Sequence, residues 1–220
     1  MLFSFDVGVT STLEARTSGL RTVEGANGGG IAGVTGAAIQ KSTNSVIDRG
    51  TISADVLAAP RDGSLVLAFS EESRERRRAP AKFGLKEDGQ VLAGNGVLDL
   101  SDEEKFLVPL LARGLLPEER TVGTMWRIEL PSPKNASDIT TYKITGIDGS
   151  IAHLNVERVA QNHAGFGFDL LVNGTVDYDM KLSVPNIAKL HGVLRTQGPE
   201  GITTVTTDAT LSLAQDSFKK

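Results

Sequence analysis

One pattern constrains this chain before any motif does: apolar and polar residues alternate with a period of two, in stretch after stretch from its start to its end. Phe3, Phe5, Val7 and Val9 share one face, while Ser4, Asp6, Gly8 and Thr10 take the other. Successive side chains of an extended strand point to opposite faces, so this alternation marks a strand with one buried and one wet side. Ile52, Ala54, Val56 and Ala58 alternate in the same way with Thr51, Ser53, Asp55 and Leu57, as do Leu65, Leu67 and Phe69 with Val66, Ala68 and Ser70. The pattern predicts further strands over 80–86, 90–98, 124–130, 139–147, 150–160, 166–182, 187–196 and 202–214. Short turn signals separate many of them, among them Glu87-Asp88-Gly89 and Asp148-Gly149. The fold class expected is therefore mainly β: an antiparallel curved sheet, a half-barrel or sandwich, in a single domain over 1–220.

One segment breaks the period. Ser101 stands three residues before Glu104, the spacing of a capping box that satisfies the orphan amides of a helix start. A helix is predicted over 102–113, with Asp102, Glu103 and Glu104 at the positive end of its dipole and Gly114 as its stop. Phe106, Leu107, Leu110 and Leu111 form its apolar face. Pro109 lacks an N–H and crowds the carbonyl four residues back, so the element should be short and bent. A sheet with one apolar face must cover it, and this helix is the best cover available.

Between the first two strands lies a stretch, 17–45, that contains GANGGGIAGVTG at 25–36. Its Gly28, Gly30 and Gly33 have the G-x-G-x-x-G spacing of a dinucleotide turn. Such a turn needs a buried strand before the first glycine and a helix after the third, so that the pyrophosphate meets the helix N-terminus. Here Thr17 to Glu24 is polar and charged, and Val34 to Ser42 has no amphipathic stripe. Gln40 before Lys41-Ser42 breaks the phosphate-loop frame as well. A flexible glycine-rich loop with no nucleotide affinity is expected, and no cofactor. Gly50-Thr-Ile-Ser-Ala-Asp55 with Pro60 also echoes Gly174-Thr-Val-Asp-Tyr-Asp179 with Pro185, through internal duplication or through shared turn chemistry.

Composition narrows the function classes. With 220 residues, 40% of them hydrophobic, the chain can bury a sizeable core. A net charge of −4, from 23 basic and 27 acidic residues, argues against nucleic acid or an anionic membrane as the main partner. The chain has no cysteine, hence no disulfide, thiolate zinc site or cysteine nucleophile. No run approaches the roughly 18 apolar residues of a spanning helix, so no transmembrane segment is expected. His153, His163 and His191 have no i, i+4 spacing and no G-x-S-x-G elbow occurs, so neither metal nor catalytic residues are assigned. Asp177 and Asp179 share a strand face, where exposed carboxylates are ordinarily solvated. Arg74, Arg76, Arg77 and Arg78, interleaved with Glu71, Glu72 and Glu75, suit either a contact with lipid headgroups or an acidic partner, or a solvated hairpin loop. Asn135-Ala-Ser137 and Asn173-Gly-Thr175 are glycosylation sequons only in a eukaryotic secretory setting.

Long alternating strands, one helix inserted midway, Val122-Gly-Thr-Met-Trp126 and the Thr-rich last strand Gly201 to Leu213 together give a layout that resembles the bacterial envelope half-barrels of the LolA-like lipoprotein and lipid carriers. Such carriers place more than one helix against the sheet, whereas only 102–113 qualifies here. The resemblance implies a periplasmic or secreted protein. MLFSFDVGV starts mid-strand without the basic and apolar regions of a signal peptide, so a leader is expected to have been removed; a cytoplasmic chain is the alternative. The function expected is non-catalytic: an apolar ligand such as a lipid, or an apolar segment of an envelope partner, held on the curved sheet. Phe106, Leu107, Leu110, Leu111 and Trp126 are the candidate ligand-binding residues. Two alternatives stand beside it: an assembly protein that pairs through sheet edges, with 202–213 as the expected edge, and a hydrolase using carboxylates with His153 or His191.

Overall fold

The computed structural model describes residues 2–19, 38–73, 80–92, 100–112, 114–117, 120–162, 167–198 and 201–216. Along them run β1 (Leu2–Gly19), β2 (Ala38–Ala58), β3 (Leu65–Ser73), β4 (Ala81–Leu85), β5 (Val91–Leu92) and α1 (Asp102–Leu110). After the helix come β6 (Met125–Glu129), β7 (Ala136–Asp148), β8 (Ile151–Asn162), β9 (Phe168–Asp179), β10 (Val184–Gly198) and β11 (Gly201–Asp216). All eleven strands form one antiparallel sheet in the order β5-β4-β3-β2-β1-β11-β10-β9-β8-β7-β6. Two meanders, one on each side of the helix in sequence, are thus joined by the first and last strands at the middle of the sheet. The sheet does not close, and β5 and β6 are its edges.

That topology corrects one expectation. The Thr-rich strand is not an edge: β11 lies between β1 and β10, paired with β1 as far as Asp216 and with β10 from Gly201 to Ser212. Threonine fits a pleated surface by its branched Cβ as well inside a sheet as at its rim, so composition alone did not locate the edge. The first hairpin is also longer than expected. β1 and β2 pair from Leu2↔Asp55 as far as Gly19↔Ala38, so 17–19 and 38–45 belong to the ladder. The glycines at 28, 30 and 33 and the arginines at 74 and 76–78 lie outside the described residues.

Strand alternation sorts the side chains as the period predicts. Phe3, Phe5, Ile52, Leu67, Phe69 and Phe83 from one meander and Tyr142, Ile144, Leu154, Val176 and Tyr178 from the other are buried in one core. Phe69 and Phe83 meet with ring centroids 5.4 Å apart. The sheet coils so that strands near both edges reach the same helix. Neighbouring strands crowd at two glycines: a Cβ on Gly50 would lie 2.5 Å from the Ser73 Cβ, and one on Gly174 would lie 2.6 Å from the Lys189 carbonyl oxygen. Both glycines of the echoed Gly-Thr pattern carry this same steric duty.

The helix starts as its capping box dictates. The Glu104 amide donates to Ser101 Oγ (3.2 Å), and the Ser101 amide donates to Glu104 Oε2 (2.8 Å). It stops at Leu110, short of 113, in the turn that contains Pro109. There the Leu111 and Ala112 amides close back onto the Val108 and Pro109 carbonyls at 3.2 and 3.1 Å, a tightened last turn. Gly114 is not the helix stop; its amide donates instead to the Glu87 carbonyl (2.9 Å) and docks the post-helix segment on the β4–β5 turn.

That turn depends on Gly89, which is buried at φ +88 with the Ile128 Cδ1 only 2.7 Å from where a Cβ would stand. Gly89→Ala should cost about 2–3 kcal/mol, from a left-handed backbone with a side chain and from overpacking against Ile128 and Leu115. A lower urea midpoint with unchanged m-value is the expected readout.

Candidate functional site

In β8 the concave row runs Ala152, Leu154, Val156, Arg158, Ala160, all buried. A guanidinium therefore stands where alternation calls for an apolar side chain, with 1% of the residue exposed. Burying such a charge requires partners, and two aspartates supply them. Arg158 Nε and Nη2 donate to the two carboxylate oxygens of Asp138 on β7, both at 2.8 Å, in the bidentate geometry that the planar fork favours. Nη1 donates to Asp102 Oδ1 (3.1 Å) and to the Asp102 carbonyl (3.3 Å). Asp102 opens α1, so this cluster pins the helix N-terminus to the sheet. Burial opposes the charge of Arg158, but hydrogen bonds and charges from Asp138 and then Asp102 outweigh it and hold the guanidinium above its ordinary pKa.

Around this cluster the described residues do not fill the concave face. A nine-residue helix spans roughly 13 Å, whereas strands of the length of β10 and β11 run to roughly 50 Å. Beyond the helix N-terminus the inner face is left partly bare, and Leu13 and Val46 there remain 39% and 44% exposed. Two adjoining hollows occupy this end. One of about 310 Å³ lies between Lys105 and a wall of Leu130, Ala160, Phe168, Leu170 and Leu194. The other, about 170 Å³, lies beside Phe106 against Val172, Leu190 and Val205. Asp102, Arg158, Leu170 and Leu194 line both.

The predicted ligand-binding residues fall elsewhere, with one exception. Leu107, Leu110 and Leu111 are buried in the core at 2% exposure or less and line neither hollow; Phe106, equally buried, lines the smaller one. Trp126 is half-buried and stacks on Tyr142, with centroids 5.3 Å apart and planes 14° apart. Burial raises the phenol pKa of Tyr142, and likewise that of Tyr178, whose hydroxyl donates to the Ala112 carbonyl (3.2 Å). Sequence reasoning missed Arg158, Asp138, Asp102 and Lys105. The signal was present for Arg158, a charge in phase with Leu154 and Val156 on an otherwise apolar row.

Histidine and carboxylate do meet, but on the convex face. His153 Nδ1 lies 2.7 Å from Asp177 Oδ1 and His191 Nδ1 lies 2.8 Å from Asp208 Oδ1, each a cross-strand pair, the first of half-buried and the second of more exposed side chains. Asp179 does not join them; its Oδ1 accepts from the Lys181 and Leu182 amides in the following turn. Beside His191 lies a shallow depression of about 670 Å³. Among the described residues no group of three or more His, Cys, Asp or Glu side chains is placed to hold a metal ion. His163 lies outside those residues.

Comparison with known protein families and with curated proteins returns no match. Among the described residues no helix is long and apolar enough to cross a membrane.

Proposed function

We propose that the protein is a non-catalytic carrier that holds an apolar ligand, an acyl chain by preference, in the hollow between its concave sheet and the N-terminal end of α1. The observation that carries this reading is the larger hollow, about 310 Å³ and with a mostly apolar surface, set where the helix ceases to cover the sheet. Its size falls in the range of small-molecule pockets, roughly 300–1,000 Å³, and a largely apolar wall with a few polar groups is the usual make-up of such sites. The layout resemblance to envelope half-barrels supports an envelope or secreted setting for such a carrier.

Calorimetric titration of the purified, delipidated protein with dodecanol tests the reading. Saturable binding is expected, and Leu194→Trp, which puts a larger side chain at the wall shared by both hollows, should weaken it at least about tenfold. Leu194 is only partly buried, so the fold should survive the exchange. If dodecanol and longer chains all fail to bind, the carrier reading is wrong. Assembly through sheet edges would then be the better account, with β5 and β6 as the strands to examine.

A further inference from the structure

The charges around the larger hollow are not equivalent. Asp138 gives both carboxylate oxygens to Arg158, and Asp102 gives Oδ1 to the same guanidinium, so three of the four charged side chains there are bound to one another. The fourth is Lys105. It stands one turn into α1, three residues after Asp102, and lines the hollow half-buried. Among the described residues no acidic group pairs with it. A lysine that lines an apolar hollow and pairs with no acidic group among the described residues is complementary to a negative charge on whatever enters. Its methylene stem suits the same place, since lysine lays an apolar chain along an apolar wall and keeps its charge at the water.

Resting on the carrier reading above, we infer that the ligand is a single-chain amphiphile with an anionic headgroup, a fatty-acid carboxylate, bound with that headgroup on the Lys105 ammonium and its chain against Leu130, Ala160, Phe168, Leu170 and Leu194. Arg158 takes no part in headgroup recognition. Its bonds to Asp138 and Asp102 hold the helix in place and leave Lys105 as the charge that selects.

Calorimetry with three ligands of one chain length separates this inference from the reading beneath it: dodecanoate, dodecanol and dodecyltrimethylammonium, each below its micellar concentration. Dodecanoate should bind wild-type protein at least about tenfold tighter than dodecanol, as one charge-assisted hydrogen bond provides. Lys105→Met, which keeps the stem and deletes the charge, should reduce dodecanoate to the level of dodecanol, and Lys105→Arg should restore the preference. Melting curves of both variants should match wild type, since Lys105 pairs with no acidic group among the described residues. Equal affinity for acid and alcohol, a preference that survives Lys105→Met, or tighter binding of the ammonium through Asp102 overturns the headgroup assignment and leaves the carrier standing. Absence of binding by all three overturns both.

Discussion

Arg158→Met should lower the unfolding free energy by about 3–5 kcal/mol, the usual penalty for breaking a buried ion pair from one side. The loss comes less from the arginine than from what it leaves behind. Asp138 is buried and has both oxygens satisfied by Arg158, so the exchange strands a carboxylate away from water. Asp102, half exposed, regains solvent cheaply, but the helix start then loses its tie to β8. Adding Asp138→Leu to Arg158→Met should recover a large part of the deficit, because a well-packed apolar pair often matches a buried ion pair. Urea denaturation of wild type, both single variants and the double variant gives the coupling energy directly. The pH dependence has a definite sign. The folded-state pKa of Arg158 is raised, so the stability it confers is fully present below the unfolded arginine value and is lost only as pH rises through the folded one. The contribution of the Arg158 charge to wild-type stability should therefore stay constant up to about pH 9. A deficit under about 1 kcal/mol would mean that the cluster is solvated and does not fix the helix.

The same arginine shows where sequence reading stopped. Alternation located the strands because each has one face on the core: Phe3, Phe5 and Val7, or Leu65, Leu67 and Phe69, are buried as their period requires. The capping box located the helix start because its hydrogen bonds span three residues and are spelled out by Ser101 and Glu104. Strand order was not legible in the same way. The pairing of β1 with β11 joins residues nearly a chain length apart, and nothing local in either strand names its partner. The Thr-rich strand has a composition that suits an edge, and it sits mid-sheet. The hollow was not legible for a related reason. Leu107, Leu110 and Leu111 could be seen to face the sheet, but not that the helix would end at Leu110 and leave the opposite end of a much longer concave face uncovered. A hollow is a difference between lengths of elements far apart in sequence, and so are the meetings of Arg158 with Asp138 and Asp102 that border it.

Phe106→Ala should cost about 3–5 kcal/mol of stability, the range for emptying an aromatic site in a packed core. Phe106 is 2% exposed and stands at the boundary between the closed core around Leu107 and Leu110 and the smaller hollow beside it. A cavity opened there cannot collapse readily. The helix above it is held at its start by Arg158 and at its far end by the Gly114 amide on Glu87, and the strands below are fixed by ladders on both sides. Limited relaxation puts the loss toward the upper part of the range, since the penalty grows with the volume left empty. The variant also separates a wall that holds the fold from a wall that holds a ligand. Truncation joins the vacated space to the existing 170 Å³ hollow, so the unfolding midpoint should fall while dodecanol affinity stays the same or rises. Leu194→Trp should do the reverse, with stability kept and affinity lost. Should Phe106→Ala abolish dodecanol binding without moving the urea midpoint, the ligand would lie under the helix rather than beyond its N-terminus, and Phe106 rather than Leu194 would mark the site.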